Sequence, residues 1–114
     1  MEDHTIGVGR VVGGEAPVNL GAVAARIRAG ETVTFVAVGN SMTPRVKSGE
    51  TVTVQPLDGD TPDKGEIVLA RVNGRWMLHL VSAVAQNGKR VQISNNHGHV
   101  NGWTAASNVI GALI

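Results

Sequence analysis

The chain has 114 residues, of which 42% are hydrophobic, and carries a formal net charge of +1. This length suits one domain with a single core, and the absence of cysteine excludes disulfides, thiolate metal sites and a cysteine nucleophile. No basic stripe with interleaved aromatics and no bilayer-length apolar run is present, so we expect neither nucleic-acid binding nor a membrane span. The acidic N-terminus is unlike a signal peptide, which fits a cytoplasmic protein.

The N-terminal part of the chain predicts an arm followed by one helix. Residues 1–18 are rich in glycine and are expected to form a loose or edge-bound arm, while residues 19–114 form a single domain. Asn19 is typical of a helix N-cap, and apolar residues recur at helical spacing after it. Because Gly30 can end a helix in the left-handed conformation, we predict one short helix over about residues 20–29.

After the helix, the chain predicts strands and turns. Alternating, β-branched segments predict strands at 32–38, 51–55, 66–72, 75–85, 90–94 and 108–114. Asn73-Gly74 and Asn87-Gly88 are typical of type I′ hairpin turns, and polar loops are predicted at 56–64 and 95–104. The sequence therefore predicts a mostly-β domain with one short N-terminal helix.

The most informative segment is the Ser41 turn, residues 39–47, which reads Gly-Asn-Ser-Met-Thr-Pro-Arg-Val-Lys. It places a serine between a predicted strand and a proline-containing turn. A serine at such a corner can direct its hydroxyl into a cleft toward which backbone N–H groups also point. The alternative is a simple turn that packs Met42 into the core.

The predicted strand 75–85 carries a candidate base, His79. Strand alternation places Leu78 and Leu80 on one face and His79 on the other, with Met77 and Val81. A lone strand histidine is also compatible with a surface position or a hydrogen-bonded core position. A serine after one strand and a histidine on a later strand are nevertheless the minimum for a serine–base pair.

These motifs resemble the protease domain shared by type I signal peptidases and LexA-type self-cleaving repressors. The resemblance runs from about Thr32 to Ile114. It is carried by Gly39-Asn40-Ser41-Met42-Thr43-Pro44, by Val46-x-x-Gly49-Glu50-x-Val52-x-Val54 and by Gly65-Glu66-Ile67-Val68. His79 falls where most members have a lysine base and where the endoplasmic-reticulum and archaeal signal peptidases have histidine. The resemblance implies a compact coiled β-domain with a shallow groove for an extended peptide.

The resemblance also implies roles for individual residues. Ser41 would be the nucleophile and His79 the general base, so activity should fall below roughly pH 6. The backbone N–H of Ser41, with that of Met42 or the side chain of Asn40, would bind the oxyanion. Gly39 would allow the substrate backbone to approach closely.

The third member of the site is less defined by the sequence. Histidine-type members place an aspartate after the base, whereas this chain has no aspartate after Asp63. An amide can orient a histidine, and the candidates are Asn95, Asn96 and Asn101, of which we take Asn96. His97-Gly98-His99 could suggest a metal site, but its glycine and asparagine neighbours favour a hydrogen-bonded loop. We expect no metal and no cofactor.

Two functions follow from these observations. The first is a serine endopeptidase-like protein of bacterial or phage origin that cleaves a peptide or protein substrate, its own chain or a partner. Without a membrane anchor or a helix-turn-helix domain, neither a membrane-bound signal peptidase nor a complete repressor is expected. Self-cleavage at Ala29-Gly30 is disfavoured because that bond is close to Ser41. The second is an inactive peptidase-fold module with a structural or protein-binding role, whose N-terminal arm joins it to other copies.

Overall fold

The computed structural model describes residues 6–12, 19–57, 59 and 61–114. Its elements, in chain order, are β1 (Gly7–Val11), α1 (Leu20–Arg28), β2 (Val33–Val38), β3 (Thr51–Pro56), β4 (Ile67–Val72), β5 (Arg75–Ala85), β6 (Arg90–Ser94), β7 (Val100–Ala105) and β8 (Val109–Leu113). A short 3₁₀ helix, Ala106–Asn108, precedes β8. The mostly-β fold with one short N-terminal helix is therefore confirmed.

The eight strands in the described part of the chain belong to one antiparallel sheet, in the order β1-β2-β3-β8-β4-β5-β6-β7. Strands β4 and β7 contact each other although β5 and β6 lie between them in this order. The sheet is therefore curled, as expected for a coiled β-domain. Within the described residues, no helix has the length and apolar character that crossing a membrane would require.

Helix α1 begins and ends where the sequence predicts. The side-chain oxygen of Asn19 accepts a hydrogen bond from the backbone N–H of Ala22 at 2.9 Å, as an N-cap should. Its apolar stripe is buried and consists of Leu20, Val23, Ala24 and Ile27. The chain leaves the helix through Gly30, whose φ of 94° suits glycine.

The two predicted hairpins are present, with one difference in turn type. Asn73 and Gly74 have φ angles of 50° and 80°, the two positive values that a type I′ turn requires. In the next hairpin Gln86, Asn87 and Gly88 all have positive φ, between Ala85 and Arg90. The two-residue turn predicted there is therefore wrong, because the connection is longer.

The two edge strands were not predicted as strands. Strand β1 lies in the glycine-rich arm and pairs with β2, whereas the rest of the arm, residues 1–5 and 13–18, lies outside the described residues. Strand β7 occupies the second half of the predicted loop 95–104, so that part of the loop prediction is wrong. The sequence does not indicate this strand, because Val100 and Trp103 are exposed and Gly102 interrupts the alternation of apolar and polar residues.

Two groups of buried side chains stabilise the curled sheet. The first cluster joins α1 to β2 and β3 and includes Phe35, Met42, Val46 and Leu78. The second cluster lies around β4, β5 and β6 and includes Val68, Met77, Val81 and Ile93. Leu78 thus lies in the first cluster while Met77 and Val81 lie in the second, which confirms the face assignment predicted for β5.

Candidate active site

The Ser41 turn is held to the domain by buried side chains and backbone hydrogen bonds. Met42 and Val46 are fully buried in the first cluster, and the N–H of Val46 donates to the Met42 carbonyl at 2.9 Å. Gly39, with a φ of 119°, starts the turn and donates its N–H to Ser48 Oγ at 3.1 Å. Packing after Ser41 and a backbone hydrogen bond before it therefore fix the position of the Ser41 backbone.

His79 lies in the middle of β5, opposite Val68 of β4. Strand β6 ends at Ser94, which pairs with Leu80, so no β6 residue pairs with His79. The imidazole thus lies just beyond the end of a neighbouring strand, where side chains from other elements can reach it. His79 is 1% exposed.

The structure brings the two predicted residues together. Ser41 Oγ and His79 Nε2 are 3.1 Å apart, although the residues are separated by 38 positions in the sequence. This distance lies within the range for a nucleophile and its general base, about 2.6–3.2 Å. Ser41, like His79, is only 1% exposed, so the pair is buried in this conformation.

A third side chain completes a line of hydrogen bonds. Asn101 Oδ1 is 2.8 Å from His79 Nδ1. Because an amide oxygen only accepts hydrogen bonds, Nδ1 carries the ring hydrogen in the neutral imidazole. The remaining nitrogen, Nε2, is then an acceptor that faces the Ser41 hydroxyl. The arrangement selects the tautomer that can take a proton from Ser41.

Asn101 reaches His79 from a β-bulge in β7. Gly102 pairs with Ile93 and Val100 pairs with Ser94, so Asn101 is the extra residue between two paired positions. Bulges re-aim side chains and are frequent beside active sites. Gly102 has a φ of 145°, a conformation that residues with a Cβ rarely adopt.

The predicted third member, Asn96, occupies a different position. Its side-chain nitrogen donates to the Thr43 carbonyl at 3.0 Å, and its backbone N–H donates to the Ser41 carbonyl at 2.9 Å. The oxygen of Asn95 accepts from two N–H groups within its own loop. The amide that faces Nδ1 therefore belongs to Asn101, and the choice of Asn96 for that position is corrected. A glycine directly after Asn101 is the sequence signal for a bulge that could have favoured it.

The backbone donors predicted for the oxyanion are located in the same turn. Within the described part of the chain, the N–H groups of Ser41 and Met42 have no hydrogen-bond acceptor. Thr43 N–H bonds back to the Asn40 carbonyl at 3.2 Å, so the preceding N–H groups resemble those of a first helical turn. The N–H of Gly39 is occupied by Ser48, and Asn40 is exposed.

His97 and His99 of the 95–99 loop both take part in hydrogen bonds. His97 Nε2 lies 3.0 Å from the Asn40 carbonyl oxygen and 3.0 Å from Thr43 Oγ1. His99 is exposed and contributes its backbone N–H to Asn95. Among the described residues, no group of three or more His, Cys, Asp or Glu side chains could hold a metal ion.

Comparison with known proteins places the chain in a family. The model of the family described as Peptidase S24-like matches residues 9–112, which include the Ser41 turn, His79 and Asn101. No curated protein and no solved structure matches the chain. Because the match covers nearly the whole chain, it confirms the resemblance to the LexA and signal peptidase type. The chain belongs to the Peptidase S24-like family.

Proposed function

We propose that the protein is a serine endopeptidase in which Ser41 is the nucleophile, His79 the general base and Asn101 the residue that orients the base. The observation that carries this proposal is the line of two hydrogen bonds, 3.1 Å from Ser41 Oγ to His79 Nε2 and 2.8 Å from Nδ1 to Asn101. A serine and a histidine with only structural roles would not need the second bond to select the reactive tautomer.

The chemistry would proceed through an acyl-enzyme. As the Ser41 oxygen bonds to the carbonyl carbon of the substrate, its proton moves to Nε2 of His79. The N–H groups of Ser41 and Met42 would donate to the oxyanion that forms. The imidazolium then gives its proton to the leaving amine as the C–N bond breaks. A water molecule, deprotonated by His79, hydrolyses the ester and restores the Ser41 hydroxyl.

The neutral third member predicts a slow enzyme. Asn101 can orient the imidazole, but its amide brings no negative charge to stabilise the imidazolium in the transition state. A lower rate is compatible with limited cleavage of a protein substrate, its own chain or a partner. Substrate identity, bacterial or phage origin, cytoplasmic location and assembly through residues 1–18 remain predictions from the sequence.

One observation favours a second candidate function, an inactive peptidase-fold module that binds a partner. Ser41 is 1% exposed, so a peptide carbonyl can reach its oxygen only after the covering atoms have moved. A module whose Ser41 is never acylated would not need the covering atoms to move. The two functions differ in whether Ser41 reacts.

The proposal is tested by cleavage of a mixture of unfolded proteins at pH 8, with the fragments read by mass spectrometry. We expect fragments from the wild type, and none from Ser41→Ala or His79→Phe. Ser107→Ala is a matched control, since Ser107 is an exposed serine outside the site, and it should cleave like the wild type. A folded wild type that produces no fragments would favour the inactive module.

A further inference from the structure

Two residues of the 95–99 loop hold backbone carbonyls of the Ser41 turn. Asn96 donates its backbone N–H to the Ser41 carbonyl at 2.9 Å and its side-chain nitrogen to the Thr43 carbonyl at 3.0 Å. His97 Nε2 lies 3.0 Å from the Asn40 carbonyl oxygen. Carbonyls on both sides of the nucleophile are therefore anchored to one loop.

The contact of His97 has a defined direction. Because a carbonyl oxygen only accepts, Nε2 of His97 carries the hydrogen and donates it to Asn40. The Thr43 hydroxyl donates to the same carbonyl at 2.9 Å and lies 3.0 Å from Nε2, where it can also accept. With the Thr43 N–H at 3.2 Å, the Asn40 carbonyl has three donors around it. Its orientation is thus strongly restrained.

Peptide geometry transmits this restraint to the oxyanion donors. In a planar trans peptide, the C=O of one residue points opposite to the N–H of the next. Anchoring the Asn40 carbonyl therefore sets the direction of the Ser41 N–H, and anchoring the Ser41 carbonyl sets that of the Met42 N–H. Neither of these two N–H groups has an acceptor among the described residues. Both belong to buried residues, where an unpaired donor is costly unless it has a ligand to bind.

We infer that Asn96 and His97 are positioning residues that fix the direction of the oxyanion donors, the N–H groups of Ser41 and Met42. This inference rests on the proposed function. Neither residue touches the reacting atoms: the His97 side chain acts through the Asn40 carbonyl, and the Asn96 backbone N–H acts through the Ser41 carbonyl. Donors that are fixed before the reaction stabilise an oxyanion more than donors that must reorient, and loss of one such donor costs about 10²- to 10³-fold in rate.

The test compares His97→Phe with His97→Gln. Phenylalanine keeps a planar ring without a donor, whereas the glutamine amide can still donate to the Asn40 carbonyl. The first readout is the rate at which a fluorophosphonate probe labels Ser41. The second, which needs no reaction, is the pair of backbone amide NMR signals of Ser41 and Met42. His99→Phe, an exposed histidine of the same loop, is the matched control.

We expect His97→Phe to label at least about tenfold more slowly and to shift both amide signals, because the donors lose a fixed direction. His97→Gln should recover most of both readouts, and His99→Phe should match the wild type. If His97→Phe does not fold, His97→Leu removes the same donor to the Asn40 carbonyl and takes its place, with the same expected losses.

Two results would overturn the inference: unchanged amide signals in His97→Phe, or losses that His97→Gln does not recover. A wild type that the probe never labels would instead contradict the proposed function. In that case the amide signals alone would test whether His97 fixes the direction of the two N–H groups. Failure of the inference and failure of the proposed function can therefore be distinguished.

Discussion

At the scale of residues, the candidate site contains three side chains, and the sequence indicates them unequally. Ser41 and His79 could be named in advance because the segments around them resemble the nucleophile and base motifs of a known family. Asn101 could not, because three asparagines lie within a few positions of one another and have the same chemistry. Which amide faces Nδ1 depends on the bulge in β7, a long-range feature of the sheet.

Substitution of Asn101 tests the orienting hydrogen bond. Asn101→Ala removes the acceptor for Nδ1, so the reactive tautomer is no longer selected, and we expect the labelling rate to fall at least about tenfold. Asn101→Asp supplies a carboxylate that orients the ring and stabilises the imidazolium, so its rate at pH 8 should exceed that of the wild type. Equal rates for all three proteins would contradict the role of Asn101.

The pH dependence of the proposed reaction follows from the role proposed for His79. The base must be neutral to take the proton of Ser41, so the rate should fall as the pH decreases and His79 becomes protonated, by about tenfold per pH unit. Labelling rates measured between pH 5 and pH 9 would show this single acid limb. Asn101→Asp should move the limb to higher pH, because a neighbouring carboxylate favours the charged imidazolium. His99→Gln should leave it in place; a flat wild-type profile would exclude His79 as the base.

At the scale of elements, the sequence predicts the caps and turns that depend only on neighbouring residues. The helix cap at Asn19 and the turn at Asn73-Gly74 need only neighbouring residues, and both are present in the structure. Strand β7 needs its partner β6 and exposes Val100 and Trp103, so neither propensity nor alternation marks it in the sequence. The strand that carries Asn101, β7, is therefore one that the sequence does not predict.

The bulge in β7 makes Gly102 a structural requirement of the site. Its φ of 145° is nearly exclusive to glycine, so Gly102→Ala should lower the free energy of unfolding by about 1–3 kcal/mol. It should also lower the labelling rate, because Asn101 precedes the strained residue. Gly9→Ala, in the edge strand β1 without a positive φ, should change the stability by less than about 0.5 kcal/mol. Urea unfolding measures both variants; equal stabilities would show that the bulge tolerates a Cβ.

At the scale of the whole molecule, the site depends on the curl of the sheet. Ser41 follows β2, near one end of the strand order, whereas β5 and β7 lie toward the other end. The order also inserts the last strand, β8, between β3 and β4, which no periodicity in the sequence indicates. Fold class was predictable from patterning, but the strand order and the closeness of these elements come from long-range pairing. The family match over residues 9–112 is consistent with a site that needs nearly the whole chain.

The central claim, that Ser41 is an activated nucleophile, is tested most directly by intact-mass measurement after incubation with a fluorophosphonate at pH 8. The wild type should gain the mass of one probe adduct, because the serine oxygen displaces fluoride with His79 as the base. Ser41→Ala and His79→Phe should remain unmodified while folded. A folded wild type that stays unmodified, or a Ser41→Ala variant that is labelled equally, would contradict the assignment of Ser41 as the nucleophile.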